Sequence, residues 1–260
     1  MLAVSARSET IDVEAAPVDA SQVGRGSGFR ASFVALGESQ KPQPGVSFYT
    51  LYLNRRWGRV LGAGANALGM TPNMVTIVSA LCSVAAMVII AVPEASVLAG
   101  LLAGGLLMLA FAFDSADGQV ARLQGASSRS GEFLDHVLDC AVKIGLHSAV
   151  LIAWYNAGRE GAVLLIPLLF LFSSVVFYFG GILLLKMREQ GRSSREPAFE
   201  AAGVNPLRAF LLLPVDFGVV AASFLVWGWS SASLSAYTAL AIAQTAFLLL
   251  FAVRWRRELA

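Results

Sequence analysis

The stretch Phe113 to Lys143, FDSADGQVARLQGASSRSGEFLDHVLDCAVK, sets four aspartates between two apolar runs. VLAGLLAGGLLMLAFA (97–112) precedes it and IGLHSAVLIAW (144–154) follows it. Each run belongs to a stretch approaching the roughly 20 apolar residues that cross a bilayer as a helix. Asp114 and Asp117 are three apart at the end of the first span, and Asp135 and Asp139 four apart near the start of the second. On helices both spacings put the carboxylates on one face. The connection from Arg122 to Ser130 is short, so the spans are antiparallel neighbours. The two carboxylate pairs therefore meet at about the same depth, near one membrane boundary. Ionisable groups are costly there and mark function.

Working outward, six apolar stretches are expected as spans, at roughly 72–92, 96–116, 133–155, 161–185, 209–229 and 234–253. Thr71-Pro72-Asn73 opens the first, with Pro72 where a helix start tolerates it. Val46 to Leu61, VSFYTLYLNRRWGRVL, mixes aromatics and leucines with Asn54, Arg55, Arg56 and Arg59, which suits an amphipathic helix in the headgroup region. The expected fold is all-α integral membrane: six transmembrane helices with an N-terminal interfacial amphipathic helix. Its parts are a disordered cytoplasmic tail (1–44), a juxtamembrane helix and linker (45–70) and a six-helix membrane domain (71–260).

Composition agrees. With 57% hydrophobic and 14% charged residues, the chain carries too little charge to cover a soluble surface. A net charge of +2 gives no ground for a nucleic-acid partner. Cys82 and Cys140 lie in apolar stretches without metal-ligand spacing and read as buried hydrophobes. Met1 to Ala20 has no apolar core of a signal peptide. Of the Lys and Arg residues in the connections and tails of the membrane region, only Arg159 falls on the side opposite the aspartates. The bias of basic residues places both termini and the site in the cytoplasm, in the inner or plasma membrane.

Four carboxylates converging in a partly dry site repel one another, and divalent cations relieve that repulsion. Oxygen-only ligands favour Mg²⁺ or Mn²⁺, and the charge suits two ions. Gly118 leaves backbone open beside Asp117, Ala121 is small, and Gly131 keeps the surface clear one turn before Asp135. Arg122 offers a rigid fork to phosphate oxygens. Lys143 lies one turn beyond Asp139, either as its ion-pair partner or as a substrate contact. His147, deeper in the span, reads as a satisfied interior histidine.

The pattern Asp114-x-x-Asp117-Gly118-x-x-Ala121-Arg122, eight residues, Gly131-x-x-x-Asp135-x-x-x-Asp139 resembles the signature of the CDP-alcohol phosphatidyltransferase family at every fixed position. The resemblance covers roughly residues 70 to 255. It implies that Asp114, Asp117 and Asp135 ligate metal, with Asp139 serving the second ion or acting as general base. Asp114, Gly118, Ala121, Gly131 and Arg122 would border the CDP moiety, Arg122 holding its phosphates. It also implies a homodimer among membrane lipids, and transfer of a phosphatidyl or other substituted phosphate group from a CDP-linked donor to an alcohol or alcohol phosphate, releasing CMP. CDP-diacylglycerol is the expected donor.

The acceptor is less determined. Arg129, Arg192 and Arg195, with Lys143, are candidates for binding a phosphorylated acceptor, or else contact anionic lipid. Gly131-Glu132-x-x-Asp135-His136 also resembles the choline and ethanolamine phosphotransferase branch, which uses a lipid alcohol. A cation-coupled transporter is the alternative of a different class, but its carboxylates would sit near the midplane on broken helices.

Overall fold

A computed structural model describes residues 23–38, 46–92, 94–191 and 206–259. The described residues form helices and no strand: α1 (Phe29–Glu38), α2 (Arg55–Ala67), α3 (Pro72–Ala91), α4 (Val97–Leu123), α5 (Arg129–Asn156), α6 (Leu165–Gly191), α7 (Pro206–Leu211), α8 (Phe217–Ser223) and α9 (Ser230–Leu259). Local chemistry sets several helix starts. Thr71, Ser96 and Ser128 cap α3, α4 and α5, their hydroxyls accepting from the N–H groups of Met74, Ala99 and Gly131. The turn between α4 and α5 passes through Gly125, whose φ of +59° suits a residue without Cβ.

Among the described residues, five helical stretches are long and apolar enough to cross a membrane: Pro72–Ala91, Val97–Leu123, Arg129–Asn156, Gly161–Arg188 and Ser230–Arg257. The expected sixth, over 209–229, is not a continuous helix. It breaks into α7, a 3-10 turn at Leu213–Val215, α8 and a second 3-10 turn at Phe224–Val226. The causes are local. Pro214 lies in the first turn and donates no hydrogen bond. Asp216 leaves the helical path to cap α8, accepting from Gly218 N at 2.7 Å. The broken segment also packs closer than an unbroken helix with side chains would: a Cβ on Gly100 would stand 2.9 Å from Phe224 O, and one on Gly104 2.9 Å from Leu225 N. Gly104→Val is therefore expected to push this segment off α4 and to destabilise the protein by about 1–3 kcal/mol. A lower unfolding temperature in detergent is the check, and an unchanged one would refute the close approach.

The N-terminal region also differs from expectation. Within the span read as a disordered tail, Phe29–Glu38 is a helix with Leu36 fully buried. It is held by partners distant in sequence: Arg59 donates to Phe33 O at 2.7 Å and stacks on its ring, and Asn66 donates to Ser32 Oγ at 2.9 Å. The amphipathic helix expected over 46–61 is a π-helical turn, Thr50–Asn54, running into α2. Its buried face is not the aromatic one. Gly58 and Gly62 face α4, where a Cβ on Gly58 would lie 2.7 Å from Ser115 Oγ, while Trp57 stays 61% exposed. Ahead of α2, Ser47 and Thr50 donate to Asp216, which ties this region to the break.

Candidate metal and nucleotide site

The carboxylate cluster forms where α4 ends and α5 begins. Asp114, Asp117 and Asp135 each present an oxygen within 4.8 Å of the others. Asp117 is the most enclosed, 6% exposed. It accepts from Thr76 Oγ1 at 2.6 Å and from the N–H of Gly118. Thr76 stands on α3, so three helices build the cluster. Three carboxylates this close, one of them fastened by a neutral donor, concentrate negative charge in one place, which is the setting that binds a divalent ion.

Asp139 is not in the group of three. Its carboxylate lies 3.8 Å from Lys143 Nζ, and the same ammonium sits 4.1 Å from the centre of the Tyr178 ring. Lys143 is thus Asp139's ion-pair partner, one of the two roles the sequence left open. A rise of about 1.5 Å per residue puts Asp139 about 6 Å farther along α5 than Asp135.

A cavity of about 380 Å³ opens beside the cluster, bordered by Asp117, Gly118, Ala121, Arg122, Gly131 and Asp135. A Cβ on Gly118 would meet only Arg122 Nη1, at 3.6 Å, so the space in front of Gly118 is open and faces a guanidinium. Gly131 has a second reason to be small: a Cβ there would stand 3.1 Å from Ser128 Oγ and 3.2 Å from Asn73 Oδ1. Arg129 borders this same cavity, not a separate one. Arg192 and Arg195 lie outside the described residues.

Sequence reasoning missed Thr76 and Arg55. Thr76 follows Pro72 by one helical turn, a spacing that carries no chemical signal until α3 is laid against α4. Burial, and after it the charge of Arg122, hold the Arg55 guanidinium below the usual arginine range, so the start of α2 lies close to Arg122. Glu132 accepts from Lys186 and lies 3.8 Å from His136, linking the start of α5 to the end of α6. His147 is a satisfied interior histidine as expected, with Tyr237 Oη at 2.7 Å and Ser174 Oγ at 3.2 Å.

A polytopic all-α membrane protein with crowded carboxylates and an arginine-edged cavity at one end of two adjacent spans is a membrane-embedded enzyme for phosphate chemistry. The sequence profile of the CDP-alcohol phosphatidyltransferase family matches residues 69–253, and the chain belongs to that family. It is a transferase of substituted phosphate groups. Among solved structures it is similar to the crystal structure of Mycobacterium tuberculosis phosphatidylinositol phosphate synthase (PgsA1) with CDP-DAG bound. That likeness has a TM-score of 0.50 and 20% identity, and covers 76% of this chain and 90% of the other. None of the curated proteins matches this chain.

Proposed function

We propose that the chain moves a phosphatidyl group from CDP-diacylglycerol to the hydroxyl of an alcohol or alcohol phosphate, releasing CMP, with Mg²⁺ or Mn²⁺ at Asp114, Asp117 and Asp135. The observation that carries this reading is the cluster of three carboxylates, two of which, Asp117 and Asp135, line the cavity that holds Gly118 and Arg122. Oxygens sharing one Mg²⁺ at about 2.1 Å stand no more than about 4.2 Å apart. Carboxylate oxygens within 4.8 Å come close to that, and the donor set is all oxygen, so the residues fit the ion. The donor is supported by the CDP-DAG in the similar PgsA1 structure.

When bound, divalent ions spread the charge that develops on the pyrophosphate as CMP leaves. The protein's own groups do the rest. Gly118 and Ala121 leave room for the nucleotide, and Arg122 holds its phosphates. Asp139, oriented by Lys143, takes the proton of the acceptor hydroxyl as that oxygen bonds to phosphorus and the bond to CMP breaks. The basic residues at this end support a cytoplasmic site with both termini in the cytoplasm, and the family resemblance supports a homodimer. The Glu132–His136 contact keeps a second reading open, a choline- or ethanolamine-type transfer to a lipid alcohol.

The test is CMP release by the purified protein in lipid. EDTA is expected to stop it and Mg²⁺ or Mn²⁺ to restore it. Release that continues undiminished in EDTA would overturn the metal assignment.

A further inference from the structure

A cavity of about 320 Å³ lies at the other end of the bundle, where α3 and α5 stop and α9 starts. Nineteen residues of α5 separate Asp135 from Trp154 on its wall, about 28 Å at 1.5 Å per residue. That is close to the thickness of a bilayer's hydrocarbon core, so the cavity sits near the opposite membrane boundary. One side of it is apolar, with Ile90, Ala91, Val92 and Ala153. The charged residues among its described lining are Glu94 and Arg159, one of each sign. No ion pair joins them, and neither forms one with any other described residue. The Arg159 guanidinium is instead held over the Trp154 ring, 5.3 Å from its centre. Two further groups border the cavity. Trp227 has a buried indole N–H without a hydrogen-bond partner among the described residues. Ser230 opens α9, a helix whose N-terminus favours an anion.

We propose that this cavity binds a phospholipid of the leaflet opposite the carboxylates, one whose headgroup carries both a phosphate and an ammonium. The Arg159 guanidinium takes the phosphate oxygens, with the N-terminus of α9 on the same cavity, and Glu94 takes the ammonium. Two unlike charges that border one cavity without meeting are bridged by a zwitterion. An anionic headgroup would leave Glu94 facing negative charge, and an uncharged lipid would leave Arg159 without an anion. The place selects a lipid, because headgroups lie at this depth and the apolar side of the cavity suits the glycerol and the first acyl carbons. An ester oxygen is also the acceptor that the Trp227 N–H lacks. The site is separate from the carboxylates, and it stands whether or not the transfer reading does.

The experiment uses the full chain, delipidated in detergent, and reads lipid binding by native mass spectrometry. The probes are dioleoyl phosphatidylethanolamine, dioleoyl phosphatidylglycerol, dioleoylglycerol and the soluble headgroup glycerophosphoethanolamine. Phosphatidylethanolamine is expected to bind about threefold or more tighter than phosphatidylglycerol, the size of a partly exposed ion pair. Arg159→Gln is expected to raise its Kd at least about tenfold by removing a charge-assisted contact with phosphate. Glu94→Gln is expected to erase the preference between the two phospholipids. Excess CMP with Mg²⁺ is expected to leave the bound lipid in place. Equal binding of the two phospholipids by the parent chain overturns the proposal, as does an unchanged Kd in Arg159→Gln. Dioleoylglycerol bound as tightly as phosphatidylethanolamine overturns phosphate recognition. Glycerophosphoethanolamine bound as tightly as the lipid makes the ligand a soluble phosphate ester and overturns the lipid. Displacement by CMP would put the lipid at the carboxylates and overturn the separate site. If Arg159→Gln fails to fold, Glu94→Gln decides, and a preference that survives in it overturns the proposal.

Discussion

Asp117→Asn is expected to lower the rate of CMP release by roughly 10³-fold or more while the protein stays folded. The size follows from what the substitution removes. Asp117 is buried, and its carboxylate is the one fixed from a third helix, by Thr76 Oγ1 at 2.6 Å. Asparagine has nearly the same shape, and its carbonyl oxygen still accepts from Thr76, so α3 and α4 keep their contact. The unit of negative charge is what disappears. Asp114 and Asp135 remain, but two carboxylates compensate a divalent ion less well than three, and the amide N–H₂ now points a donor dipole into the group. The loss therefore falls on metal affinity and on turnover together, with an unfolding temperature close to the parent's. Parent-level turnover in this variant would remove Asp117 from the site.

Asp139→Asn is expected to cost about 10²- to 10⁴-fold in kcat, the range of a positioned general base, with the affinity for Mn²⁺ little changed. The contrast with Asp117 comes from the geometry. Asp139 lies one turn past Asp135, outside the three carboxylates that share a 4.8 Å neighbourhood, and its neighbour is Lys143 at 3.8 Å. Removing its charge leaves the other three in place. Lys143 keeps its position over the Tyr178 ring, which limits the structural damage. Steady-state kinetics with varied donor, together with Mn²⁺ titration, make the distinction. Equal losses in metal affinity and kcat would make Asp139 a ligand instead of a base.

The carboxylate cluster was legible in the sequence because its members come in helical pairs from two spans joined by a short turn. Spacings of three and four, and the fixed length between Arg122 and Gly131, specify the face and the neighbour. They do not specify depth. Residues four apart share a face but differ by about 6 Å along the axis, and that is why Asp139 leaves the cluster and meets Lys143. Thr76 was not readable, since a hydroxyl in an apolar span is common and its partner lies 41 residues away. The five long spans were readable from hydropathy, but the break over 206–226 was not. Hydropathy sees the apolar composition of that segment; the path depends on Pro214, the Asp216 cap and the room left by Gly100 and Gly104. Helix α1 escaped for a related reason: FRASFVALGE has little apolar periodicity of its own, and Leu36 and Ser32 are buried by partners on α2.

The most direct test of the central claim is Mn²⁺ binding followed by electron paramagnetic resonance on the purified protein. Saturable binding is expected in the parent chain and in Asp216→Asn, whose carboxylate serves Ser47, Thr50 and the cap of α8. It is expected to be lost when Asp114, Asp117 and Asp135 are replaced together by asparagine. The same binding in that triple variant and in the parent would contradict a metal site at the junction of α4 and α5.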